Sequence, residues 1–191
     1  MDVNKIAFTG STVVGRKIQE ASAKSNLKRV SLELGGKSPF IIFDVDDEAL
    51  QRAADDTAVS IFGNQGSRFL EILGFVEKNF KYFFYLGQSC CASSRVFVHE
   101  SVHDKFVGYL KEIADSKVVG DPFQEETTNG AIISDLQFKK VLDYIKSGRE
   151  QGAKVVSGGD RVGNKGYFVR PTIFTDVKDD MKIAKEEVNF A

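Results

Sequence analysis

A short apolar run that ends in a glycine turn and leads into a helical pattern is the feature that most constrains the fold. Residues Lys5 to Phe8 are followed by Thr9-Gly10-Ser11, and from Gly15 onward small and apolar residues recur at helical spacing. This order predicts a strand, a tight turn and a helix. The turn would let backbone N–H groups face a phosphate, as in dinucleotide sites, but a plain turn is the alternative because the match to GxGxxG is incomplete.

The same alternation of short apolar runs and helical patterns recurs along the chain, which predicts an α/β fold. The continuous apolar run Phe40-Ile41-Ile42-Phe43 suits a strand of a buried parallel sheet. Asp46 or Asp47 is placed to cap the helix that follows it. The other predicted strands are 29–34, 96–98 and 153–156, the predicted helices are 102–114 and 138–148, and residues 167–169 are expected to be extended.

The two cysteines, Cys90 and Cys91, are adjacent and lie in a small polar turn before an apolar run. Neighbouring cysteines are poorly placed to bridge each other or to chelate one metal ion, and the chain has no CxxC spacing, so we predict no metal site. Two interpretations remain, a nucleophile and a pair of small buried residues. The spacing alone favours the second, which is the common fate of a free cysteine.

The charge balance limits the classes of partner. The 191 residues contain 26 Lys and Arg against 27 Asp and Glu, so no excess charge favours nucleic acid or a membrane surface. The first residues show neither a signal peptide nor an Arg-rich transit helix, and the few cysteines fit a reducing compartment. We therefore expect a cytoplasmic protein, with a mitochondrial location as the alternative because the N-terminus looks truncated.

Residues 67–87 differ in composition from both flanks, since they hold seven of the 21 aromatic residues. Five charged residues argue against a transmembrane span, and the basic residues are too few to favour an interfacial helix. We interpret the segment as an atypical insertion or as retained non-coding sequence.

Five ordered motifs together resemble the NAD(P)-dependent aldehyde dehydrogenase family. Without residues 67–87 the third motif reads Phe-x-x-x-Gly-Gln-x-Cys and ends at Cys90, as in that family. The motifs are Phe8-Thr9-Gly10-Ser11-Thr12, Leu32-Glu33-Leu34-Gly35-Gly36-Lys37-Ser38-Pro39, Phe62-Gly63-Asn64-Gln65-Gly66 with Gly87-Gln88-Ser89-Cys90-Cys91-Ala92, Gln137-Phe138-Lys139-Lys140-Val141-Leu142 and Ala184-Lys185-Glu186-Glu187-Val188.

The resemblance implies a partial aldehyde dehydrogenase fold. Residues 1–35 would be the C-terminal remnant of a Rossmann-like NAD(P)-binding domain. Residues 36–191 would be the first part of a parallel-sheet catalytic domain, interrupted at about 67–87.

The resemblance also implies the site residues and the chemistry. Cys90 would be the nucleophile and Glu33 the general base in the oxidation of a small aldehyde to a carboxylic acid. The cofactor would be NAD, with NADP as an alternative. Its expected ligands are Gly10, Ser11, Val14, Leu34, Gly35, Gln137, Lys140 and Glu187.

The expected partners follow from the same resemblance. They are an aldehyde, with no nucleic acid and no membrane. Members of the family form homo-oligomers, but this chain lacks the expected oligomerisation segment. We expect the chain by itself to be weakly active or inactive, and the alternative is a non-catalytic fragment that at most associates with a full-length relative.

Overall fold

Helices and strands alternate along the described part of this computed structural model, residues 3–62 and 90–188. The predicted α/β architecture is confirmed. The elements in chain order are β1 (Lys5–Thr9), α1 (Thr12–Ala23), β2 (Arg29–Glu33), β3 (Pro39–Ile42), α2 (Asp47–Phe62), β4 (Arg95–Val98), α3 (Glu100–Asp115), α4 (Asp135–Glu150), β5 (Lys154–Ser157), β6 (Ile173–Thr175) and α5 (Lys182–Lys185).

The strands form three pairs. Strands β1 and β2 are parallel, with Thr9 opposite Glu33, and β3 and β4 are parallel, with Ile42 opposite Val98. Strands β5 and β6 are antiparallel. Strand β6 was not predicted, because three residues are too few to show a period of two.

Helices begin where polar side chains cap them. Helix α1 starts at Thr12 instead of the predicted Gly15, because the Ser11 hydroxyl accepts a hydrogen bond from the backbone N–H of Val14 at 3.3 Å. Of the two predicted caps of α2, Asp46 and Asp47, the structure selects Asp46, whose Oδ1 accepts from the Ala49 N–H at 2.8 Å. Such caps satisfy backbone donors that have no partner within the helix.

The main core lies where helices α2 and α3 pack against the β3–β4 pair. In a smaller cluster, Phe138 and Ile145 of α4 pack with Ile132 and Val169. Within the described ranges, residues 3–35 contribute to neither cluster, and the predicted domain boundary at residue 35 stays a prediction. The main cluster comprises Ile42, Leu50, Ala54, Ala58, Phe62, Val102, Phe106, Leu110, Ala114 and Ile173.

The predicted insertion at residues 67–87 lies outside the described residues. Among the helices of the described ranges, none combines the length and the apolar character that a membrane span requires.

Substitution of Leu50 by Ala should lower the free energy of unfolding by about 2–5 kcal/mol, because it removes a buried side chain and leaves a cavity in the main core. Leu50 is 1% exposed. The matched control is Leu136→Ala, also in a helix but 72% exposed, which should change stability by no more than about 0.5 kcal/mol. Urea unfolding of both variants tests the position of the core, and equal losses would contradict it.

Candidate functional site

The carboxyl ends of β1 and β2 lie side by side and bring two predicted site regions together. The Gly10 N–H donates a hydrogen bond to the backbone oxygen of Glu33 at 3.0 Å. Helix α1 starts directly after Ser11 and has no acidic residue in its first turn, so the positive end of its dipole is not offset locally. This edge therefore suits an anionic group, and Val14, also predicted as a cofactor ligand, lies exposed on it.

Gly35 is in contact with a residue from the far end of the chain. A Cβ built on Gly35 would lie 1.9 Å from Oε2 of Glu187, so the carboxylate occupies the space that a side chain at this position would take. Leu34, the preceding residue, packs against α1, where a Cβ on Gly15 would lie 2.8 Å from its Cδ2. The structure thus places Gly35 and Glu187, both predicted cofactor ligands, in direct contact.

The backbone of Cys90 packs against the turn that follows Glu33. The Ser38 hydroxyl donates to the carbonyl oxygen of Cys90 at 2.8 Å, and a Cβ on Gly36 would meet the same oxygen at 2.9 Å. Cys90 is half-buried, Cys91 is exposed, and neither forms a disulfide. The nucleophile and the base predicted from the sequence therefore belong to two segments that touch, with Glu33 exposed at the end of β2.

Lys37 adds a cation that the sequence predictions did not include. Burial lowers the pKa of Lys37, the neighbouring charge of Arg95 lowers it further, and the carboxylate of Glu187 raises it. Arg95 also donates from Nε to the backbone oxygen of Lys37 at 2.9 Å. The position of Lys37 after Gly-Gly in the motif was the signal that could have identified it.

Helix α4 places Gln137 and Lys140 beside the segment that carries Glu187. Gln137 is buried, and its Nε2 donates to the backbone oxygen of Val188 at 2.9 Å. Burial lowers the pKa of Lys140, whereas Glu187 and Glu186 raise it. Both predicted ligands therefore lie next to Glu187, and their expected contact with an adenine ribose stays a prediction.

A cavity of about 1150 Å³ lies beside the turn and is bounded mainly by apolar side chains. Lys37, Gln137 and Glu187 provide polar groups in its wall. Within residues 3–62 and 90–188, no three His, Cys, Asp or Glu side chains come together to hold a metal ion. The titratable side chains at and around the site carry a thiol, carboxylates and ammonium groups.

Comparison with known proteins gives one consistent family. The model of the Aldehyde dehydrogenase family matches residues 1–70 and 77–190. The unmatched residues 71–76 fall within the predicted insertion, whose nature stays a prediction.

Curated relatives agree with the family match. An aldehyde dehydrogenase of Emericella nidulans is 50% identical over 188 residues, covering 98% of this chain and 33% of the relative. A mitochondrial benzaldehyde dehydrogenase of Antirrhinum majus is 49% identical, covering 98% of this chain and 31% of the relative. The chain thus spans about a third of the length of the curated relatives it matches.

A solved structure shares the fold as well. The aldehyde dehydrogenase of Bacillus cereus in complex with NAD+ is 41% identical and superposes with a TM-score of 0.80, covering 98% of this chain and 33% of that chain.

Substitution of Glu187 by Gln should lower the pKa of Lys37 further, because a neutral amide no longer opposes the effects of burial and Arg95. The Lys37 ammonium then loses its proton at a lower pH, which an NMR titration of its ε-methylene group measures. The matched control is Glu186→Gln, which should leave the Lys37 pKa unchanged because Glu186 is not among the groups that shift it. An unchanged or raised pKa in Glu187→Gln would contradict the placement of Glu187 beside this turn.

Proposed function

This chain belongs to the aldehyde dehydrogenase family, and from that membership we propose that its site serves the oxidation of an aldehyde to a carboxylic acid with NAD as hydride acceptor. Its fold corresponds to about a third of the fold of its relatives. The observation that carries the proposal is the turn after Glu33. Gly35 contacts the Glu187 carboxylate there, and Gly36 and Ser38 contact the backbone of Cys90.

The proposed nucleophile is the thiolate of Cys90. Its sulfur forms a bond to the aldehyde carbon, and the electron pair of the C=O bond moves to the oxygen, giving a thiohemiacetal. Backbone N–H groups, including that of Cys90 itself, would stabilise this oxyanion.

NAD+, when bound, supplies the acceptor for the hydride that leaves the substrate carbon. The substrate is then held to Cys90 as a thioester. Glu33 takes a proton from the water that attacks this thioester, the C–S bond breaks, and the thiolate of Cys90 is regenerated with release of the acid. Glu33 is suited to this step because it is exposed to water at the end of β2 and its backbone is held by Gly10.

The residues of this chain fit a dinucleotide. The cradle at Gly35 holds a carboxylate where any side chain would displace it, and a carboxylate is a suitable acceptor for ribose hydroxyls. The proposed ligands are Gly10 and Ser11 for the pyrophosphate, Val14 beside the adenine, Gln137 and Lys140 for the adenine ribose and Glu187 for the nicotinamide ribose, with Leu34 and Gly35 as further ligands of the cofactor. The NAD+ complex of the Bacillus cereus relative favours NAD over the alternative, NADP.

The relatives are about three times as long as this chain, so the activity of the whole family member does not transfer directly. We propose that the chain alone is weakly active or inactive. The aldehyde it would act on and the homo-oligomers expected of the family also stay proposals. The cytoplasm is the proposed location, and the mitochondrial relative of Antirrhinum majus supports the alternative.

A second candidate function is that of a non-catalytic partner of a full-length relative. It is favoured by the cavity of about 1150 Å³, whose wall includes Phe97 and Ile133, both exposed to solvent. Apolar surface of this kind marks sites where another polypeptide packs. Mixing the chain with the full-length Emericella nidulans relative on a gel-filtration column tests this candidate, and separate elution of the two would dismiss it.

Substitution of Cys90 by Ser should reduce aldehyde-dependent NADH formation to background, because the hydroxyl is a far weaker nucleophile than a thiolate. The adjacent Cys91 supplies the matched control, and Cys91→Ser should retain the activity of the unsubstituted chain. Absorbance of NADH and mass spectrometry of the acylated cysteine measure the two variants. Acylation at Cys91, or activity in Cys90→Ser, would refute the assignment of the nucleophile.

Because the chain alone is proposed to be weakly active at most, the role of Glu33 is tested in a single turnover: Glu33→Gln should slow release of the acid from acylated Cys90 by about 10²–10⁴-fold, the usual contribution of a general base. Because the base acts after the thioester forms, the acylated Cys90 should accumulate in this variant. Mass spectrometry after mixing with NAD+ and an aldehyde detects it. Slow turnover without any acylated Cys90 would show that Glu33 acts before hydrolysis.

A further inference from the structure

Two buried side chains of α4 hold the segment 186–188 at its two ends. Gln137, which is 3% exposed, donates from Nε2 to the backbone oxygen of Val188 at 2.9 Å. Tyr144, which is 7% exposed, donates from its hydroxyl to Oε2 of Glu186 at 2.5 Å. The two donors are seven residues apart, so they lie two turns apart on the same face of the helix.

Glu187 lies between these two anchor points. Helix α5 ends at Lys185, and Glu186 is extended with φ −102° and ψ 147°. The last helical hydrogen bond there runs from the Glu186 N–H to the backbone oxygen of Lys182 at 2.9 Å. The hydrogen bonds of α5 therefore end before Glu187, and contacts from α4 flank the residue whose carboxylate rests on Gly35.

Tyr144 is well suited to act as the donor. Burial and the hydrogen bond to Glu186 raise the pKa of Tyr144 to about 12, so its hydroxyl keeps its proton at neutral pH. The ammonium of Lys182 lies 4.6 Å from the centre of the ring, and that of Lys140 lies 5.6 Å from it. Cations at these distances are attracted to the ring face and restrain its orientation.

We propose that Tyr144 is a positioning residue for the cofactor: through Glu186, and together with Gln137 at Val188, it places the Glu187 carboxylate against Gly35. The cofactor role rests on the proposed function, in which Glu187 holds the nicotinamide ribose. We call the two hydrogen bonds from Gln137 and Tyr144 to residues 186–188 the clamp, and its existence rests only on these contacts of α4.

Hydrogen exchange of the whole 191-residue chain without nucleotide tests the clamp. In Tyr144→Phe the backbone amides of residues 186–188 should exchange about tenfold faster, as expected for loss of one hydrogen bond. Glu186→Gln, the matched control, keeps an acceptor oxygen and should keep slow exchange. Tyr144→Phe combined with Glu186→Ala should be no faster than either single variant, because both remove the same contact. Exchange within about twofold of the unsubstituted chain in Tyr144→Phe would overturn the clamp.

The amides of α3 show whether Tyr144→Phe preserves the fold, since they belong to the main core. If the α3 amides also exchange faster in Tyr144→Phe, the single variant Glu186→Ala is used in place of Tyr144→Phe. The Glu186 side chain is exposed, so its loss leaves the core intact. Unchanged exchange at 186–188 in Glu186→Ala would equally overturn the inference.

Calorimetric titration with NAD+ tests the cofactor role. As a single substitution, Tyr144→Phe should raise the Kd for NAD+ about tenfold. In a chain that already carries Glu187→Ala it should have no further effect, because Tyr144 acts through Glu187. Additive effects would overturn the positioning role even though NAD+ binds. If the unsubstituted chain binds no NAD+, the proposed cofactor site and the cofactor role of Tyr144 are both overturned, and the exchange result still decides the clamp.

Discussion

The parallel pairing of β1 and β2 is the constraint on which the rest of the site depends. Parallel strands place their carboxyl ends at one edge, and the hydrogen bond from Gly10 to Glu33 joins the two ends. The start of α1, the proposed base and the turn at Gly35-Gly36 therefore leave the sheet together. Ligands of open α/β sheets bind at this kind of edge, which agrees with the proposed dinucleotide site.

Two glycines then allow distant segments to reach that edge. The missing Cβ of Gly35 leaves room for the Glu187 carboxylate, and the missing Cβ of Gly36 leaves room for the Cys90 carbonyl. Each contact joins residues far apart in the chain, so this turn brings the segments around Cys90 and Glu187 to the end of β2. These contacts also affect Lys37, because burial lowers its pKa whereas the neighbouring Glu187 carboxylate raises it.

The β3–β4 pair exposes apolar side chains, which is consistent with a chain that spans about a third of its relatives' length. Parallel sheets are normally covered on both faces, yet Ile41 and Phe97 are exposed on these two strands. Helices α2 and α3 cover part of the pair and supply the main core. The remaining apolar surface and the neighbouring cavity explain why both a weak enzyme and a partner of a longer chain are candidates.

Local patterns in the sequence determined the α/β alternation, a cap at Asp46 or Asp47 and the motif positions of Glu33 and Cys90, because each depends on a few neighbouring residues. Only the tertiary structure decided that Glu187 rests on Gly35, that the Gln137 amide donates to Val188 and that Tyr144 holds Glu186. It also decided the antiparallel pairing of the short strand β6. Such contacts join segments that are far apart in the chain, and no local periodicity or motif in the sequence indicates them. They form only when the elements pack together.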